Sequence, residues 1–153
     1  MKKLVITSIL ILSVIHMQAQ DFKTVLYKAV TTFDTTKDQN IQIEQGNKLA
    51  LIAKKWDTAW IAHYYLAWSR ARLSFDEKDA TKRDAYLDDA DKERDDAVKI
   101  AGKESDETYV LAALIANARL SVNPSSRWMK YGKLFNDAIE SAKELNPDNP
   151  RMY

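Results

Sequence analysis

The stretch 135–153, FNDAIESAKELNPDNPRMY, carries the punctuation of stacked helical hairpins. Ala138, Ile139, Ala142 and Leu145 recur at helical spacing. Asn146-Pro147 stops that helix, because proline lacks the N–H a continuing turn would need, and Asp148-Asn149-Pro150 can open another. Elsewhere the chain offers few stops. Glycine and proline number three each in 153 residues, and they are the residues least compatible with helix interiors. No segment keeps apolar–polar alternation between turn signals, so strands are not expected. The expected fold class is all-α.

Helices are predicted near 21–33, 39–54, 57–74, 79–101, 105–121 and 125–145. Asp57 and Ser105 are candidate N-caps, each with a side-chain oxygen for the free N–H groups of a first turn. Gly102 stands where a helix end commonly requires a left-handed residue. Asn123-Pro124-Ser125 opens the sixth helix and Pro147 closes it. Connections this short make sequential helices antiparallel neighbours. The six then form three hairpins that start near Asp21, Asp57 and Ser105.

Residues 1–19 belong to a separate segment. Met1-Lys2-Lys3 precedes an apolar run from Leu4 to Ile15, and His16-Met17-Gln18-Ala19-Gln20 turns polar with a small residue available for cleavage. This is the tripartite pattern of a secretory signal peptide, so a periplasmic or secreted protein is expected, with one helical domain over 20–153. The run is shorter than the roughly 20 residues that span a bilayer, so no stable span should remain after cleavage. Cysteine is absent from the chain. That excludes disulfides, thiol catalysis, thiolate metal sites and lipidation at an N-terminal cysteine, and leaves packing to stabilise the fold. Loss of Lys2 and Lys3 leaves 21 basic residues against 22 acidic. No basic excess is available for nucleic acid or for an anionic membrane surface.

The hairpins echo one another. Asp57-Thr-Ala-Trp60 aligns with Asp106-Glu-Thr-Tyr109, and the same offset matches Ala67 with Ala116 and Arg70 with Arg119. In the second helices a small residue precedes a large apolar one by three: Ala53 and Trp56, Ala97 and Ile100, Ala142 and Leu145. Small residues let helix axes approach, and the large neighbour can fill the adjacent groove. A recurring echo of this kind is the mark of a helical-hairpin array.

The Ala142–Leu145–Asn146–Pro147 ending resembles the close of a tetratricopeptide repeat. Gly46 and Ala90, seven residues before Ala53 and Ala97, and the aromatic Trp60 and Tyr109 add to that likeness over 21–153. The Ala19-Gln20 ending makes the chain similar also to exported tetratricopeptide-like proteins of Bacteroidota. Departures are present too. The hairpin starts lie about 36 and 48 residues apart, against about 34 in that repeat. His63-Tyr64 and Ala112-Ala113 replace its Leu-Gly pair, and Phe135 stands where a small residue is expected. The resemblance implies a short right-handed α-solenoid of about six helices.

Candidate chemistry is sparse. His63 is the one histidine beyond the leader; it has no nucleophile elbow and no second histidine, so it reads as a helix–helix contact. Carboxylates crowd 76–96, and Asp89, Asp91 and Glu93 suggest a calcium loop. Arg94 and Ile100 occupy the positions where such a loop needs glycine and glutamate. With lysines and arginines interspersed, the stretch reads as a long amphipathic helix with a solvated face. No catalytic residue, metal ligand or cofactor is expected, and the protein is not expected to be an enzyme.

The aromatic helix 57–75 is different. Trp60, Ile61, Tyr64, Tyr65, Leu66, Trp68, Leu73 and Phe75 make it apolar nearly all round, as in a central helix. Tyr65 and Trp68 either pack against the first hairpin or, as the tetratricopeptide resemblance implies, face a concave surface with Asn117 at the position equivalent to Trp68. The leading expectation is an exported, non-catalytic scaffold or adaptor that binds a protein or peptide through Tyr65, Trp68 and Asn117. The alternative is a small-molecule-binding α-helical bundle with an aromatic pocket between its helices. Pro150-Arg-Met-Tyr153 is expected to begin a further helix and to leave an exposed C-terminal edge open to self-association.

Overall fold

The computed structural model describes residues 21–153, all of its regular structure helical; the predicted leader lies outside the described residues. α1 covers residues 21–35, α2 Gln39–Lys55, α3 Trp60–Asp76, α4 Ala80–Ala101 and α5 Asp106–Val122. The last arm is a short α6, Pro124–Arg127, a π-helical turn, Trp128–Gly132, and α7, Lys133–Leu145. A single 3₁₀ turn, Pro150–Met152, follows. The arrangement is three hairpins, α1/α2, α3/α4 and α5/α6–α7.

Short polar side chains fix where these helices begin. Asp38 accepts from the N–H of Asn40 at 2.8 Å, and Asp79 from those of Thr81 and Lys82 at 2.8 and 3.0 Å. Ser105 and Thr108 form a reciprocal capping box at the start of α5. Asn123 caps α6, with Pro124 in its first turn. Gly102 ends α4 at φ 74°, a left-handed conformation that costs glycine little. Asp57, by contrast, caps nothing: α3 starts after Ala59, without a side-chain cap.

α3 is the central element. Ala62 and Leu66 join Leu26, Ala29, Leu49, Ile52 and Ala53 in one apolar cluster under the first hairpin. Tyr64, Ala67 and Ala71 join Leu87, Ala90, Ala97, Leu111, Ile115 and Ala118 in a second. A helix covered on both sides needs apolar residues all round, which is what its sequence supplies. Ala53, Ala97 and Ala142 are all buried, as the small positions of the echo require. Their large partners behave less uniformly: Trp56 is half-buried, whereas Ile100 and Leu145 are exposed.

The acidic helix α4 is more than a solvated face. Arg127 donates both terminal nitrogens to Asp84 at 2.6 Å, and Arg119 reaches Asp88 and Asp91, also at 2.6 Å. These are charge-assisted bonds between helices, and they attach α5 and α6 to α4.

Candidate functional site

α3 presents Tyr65, Trp68 and Arg72 at intervals of three and four, so all three emerge along one face. α5 presents Val110, Leu114 and Asn117 at the same spacing, α1 presents Val30 and Asp34, and α7 presents Phe135 and Ile139. Packing of the hairpins turns these stripes toward a common cavity of ≈ 510 Å³, completed by Arg151, Met152 and Tyr153. That volume lies within the range of about 300–1,000 Å³ found for small-molecule sites. The structure thus brings Tyr65, Trp68 and Asn117 together. Tyr65 and Trp68 are half-buried and Asn117 is exposed.

Aromatic contacts stiffen the wall. Phe33 packs on Trp68 with ring centroids 5.0 Å apart, and Trp68 meets Tyr65 edge-on at 6.2 Å. Tyr65 in turn meets Tyr64 edge-on at 5.2 Å. Such contacts hold the rings in place without filling the space in front of them. Phe135, whose bulk departs from a tetratricopeptide pattern, adds a further ring to the lining from α7.

One end of the cavity is closed by polar contacts. The Tyr64 hydroxyl donates to Glu107 at 2.8 Å and accepts from Arg151 at 2.8 Å. Burial, reinforced by the negative charge of Glu107, pushes the Tyr64 phenol well above its ordinary range, so it stays a neutral donor. Asn149 is buried and donates to Asp106 and Glu107 at 2.9 and 3.2 Å. Amide donors from Asn146 and then Asn149 hold the Asp106 carboxyl below its usual range. The C-terminal turn is therefore folded back onto α3 and α5. This corrects the expected further helix: a single turn forms, whose Asn149 amide and Arg151 guanidinium find acceptors on the preceding first helices, while Leu145 and Tyr153 remain exposed.

His63 lies away from the cavity. Its Nδ1 is 2.7 Å from Glu93 and its Nε2 is 3.2 Å from the Asp57 carbonyl, so it joins α3 to α4 and to the preceding loop. His63, Glu93 and Asp96 offer ligand atoms within 4.8 Å of one another. Lys92 already supplies a cation there, donating to Glu93 and Asp96 at 3.0 and 3.2 Å. Among the described residues no helix is long and apolar enough to cross a membrane.

Fold and site together define an all-α helical-hairpin protein with an aromatic-walled cavity of small-molecule size. No family model matches the chain, and no curated protein matches it. Among solved structures it is similar to the HusA haemophore from Porphyromonas gingivalis, with a TM-score of 0.74 and 28% identity over 86% of this chain. That organism is a member of the Bacteroidota. The match spans 64% of the length of the solved chain. A haemophore is by name a carrier of a small molecule. The likeness overturns the expected scaffold with a protein or peptide partner and favours the small-molecule alternative.

Sequence reasoning missed several of the lining residues. Arg72 could have been found as the continuation of the Tyr65–Trp68 stripe, and Ile139 as the helical neighbour of Phe135. Arg151 and Met152 carried no such signal, because their place depends on the fold-back of the C-terminal turn.

Proposed function

We propose that this chain is an exported, non-catalytic carrier of a flat, largely apolar small molecule of the haem class, held in the cavity between its hairpins. The observation that carries this reading is the cavity itself, ≈ 510 Å³ walled by Tyr65 and Trp68 of α3 and Phe135 of α7. Aromatic rings lining one cavity can hold a planar apolar body by stacking and by excluding water from it. The likeness to a haemophore supports haem as the cargo. His63 is engaged elsewhere and cysteine is absent, so the side chains offered to the cargo are the rings of the wall, Met152 and polar groups such as Asn117. The leader pattern in 1–19 supports export, and the hairpin echo supports a tetratricopeptide-like stacking of the hairpins.

Titration of the mature chain with haemin tests the reading. Haemin is expected to quench tryptophan fluorescence and to shift its own Soret band at micromolar protein. Trp68→Leu is expected to weaken that binding about ten-fold or more while far-ultraviolet dichroism remains helical. Absence of both spectral changes in the wild-type chain would overturn the proposal.

A further inference from the structure

Beside the aromatic cavity lies a second, polar cleft of ≈ 520 Å³ between the α1–α2 connection and the end of α3. The two share Asp34 and Arg72, so Arg72 stands at their junction. One space is walled by aromatic rings; the other is lined by Thr35, Thr36, Lys37 and Gln42, with the carboxylate of Asp76 at its α3 end. A ligand with an apolar ring body and a charged edge would match both at once.

Arg72 is suited to the charged edge. Its guanidinium lies 5.4 Å from the centre of the Trp68 ring, within the range of a cation–π contact, so a ring body against Trp68 would bring its edge to this group. Its carboxylate neighbour Asp34 is 3.7 Å away, and the two side chains are 43% and 57% exposed. A pair so long and so wet is worth little and is readily exchanged for a better acceptor. Arg151, the other arginine lining the aromatic cavity, is already committed to Tyr64 and Glu107.

We infer that the polar cleft is the subsite for carboxylate groups on the cargo, with Arg72 as the anchoring cation and Lys37 as a second positive charge. The ring body lies against Trp68, its carboxylate displaces Asp34 from Arg72, and Asp34 turns to solvent. The inference rests on the carrier reading above and adds a place to it: where on this chain the carboxylate edge of such a ring is held. A guanidinium fork matches a carboxylate with two parallel hydrogen bonds, which a lysine at the same place could not make.

The test compares haemin with its dimethyl ester, in which the carboxylates are masked, against the full mature chain and its Arg72→Gln and Arg72→Lys variants. The wild-type chain is expected to bind haemin about ten-fold or more tightly than the ester. R72Q is expected to bind the two alike, at the affinity of the ester, and R72K to fall between. Unchanged helical dichroism and an unchanged ester affinity would show that the variants keep the ring site. Equal binding of haemin and ester by the wild-type chain, or an R72Q variant that keeps the wild-type preference, would overturn the subsite and leave the carrier standing. No spectral response to either compound would remove the carrier and the subsite together.

Discussion

Asp84 shows how much a single side chain can hold here. Both of its oxygens accept from Arg127 at 2.6 Å, and those hydrogen bonds keep its carboxyl below the usual range. The consequence for stability has a definite sign. The folded value is depressed relative to the unfolded chain, so the unfolded state takes up a proton first as pH falls. The contribution is complete above about pH 4 and is lost as pH drops through the lower folded value. Asp106, held down by Asn146 and Asn149, acts in the same direction. Asp84→Asn is therefore expected to flatten the acid limb: urea midpoints of the variant should change less between about pH 5 and about pH 2 than those of the wild type. An acid limb of unchanged steepness would show that the Arg127 fork contributes nothing to the linkage.

Among the helices, α2 and α3 make a close approach at Gly46 that one substitution can test. Gly46 is buried, and a Cβ placed on it would meet Leu73 Cδ1 at 3.1 Å and Ser69 Oγ at 3.8 Å. Alanine would demand a shift of the Leu73 methyl; a branched side chain cannot be accommodated without moving the helices. Gly46→Val is expected to destabilise the chain by about 1–3 kcal/mol through overpacking, measured by urea unfolding. Local sequence foretold much at this level. Ser105 and Gly102 sit at the helix ends their chemistry suggests, and the all-round apolar character of α3 matches its place between two clusters. Other features were hidden. The acidic run of α4 looked like a solvated face because spacing rules see only partners three or four residues away. Arg119 and Arg127 lie about thirty to forty residues further along the chain and become partners only when the helices pack. The π-helical turn before α7 likewise had no sequence signal.

The C-terminal turn joins elements that are distant along the chain. Asn149 is 3% exposed; its amide donates to Asp106 and Glu107 on α5, and its side-chain oxygen accepts from Arg151, which reaches Tyr64 on α3. Asn149→Ala removes the bridge and leaves two carboxylates short of a donor. A loss of about 1–3 kcal/mol is expected in denaturant unfolding, together with, on the proposed carrier function, faster release of haemin as one end of the cavity loosens. Stability and release both at wild-type values would show that the turn is not part of the cavity wall. The fold-back covers only part of the terminal edge: Asn149 is buried, whereas Leu145 and Tyr153 stay 57% and 87% exposed. Pro150-Arg-Met-Tyr153 has a helix-starting pattern, but one 3₁₀ turn forms and its side chains find acceptors on α3 and α5.

The helical class, the hairpin punctuation and the shared face of Tyr65 and Trp68 were present in the order of the residues. Caps, breakers and apolar periodicity act over three or four positions and can be read one helix at a time. The cavity could not be read that way. It is assembled by α1, α3, α5, α7 and the C-terminal turn, and whether Trp68 faces a filled core or an open slot depends on how far apart those segments settle. Packing set that distance, and with it decided that these side chains line an open cavity of ≈ 510 Å³ and not a filled core.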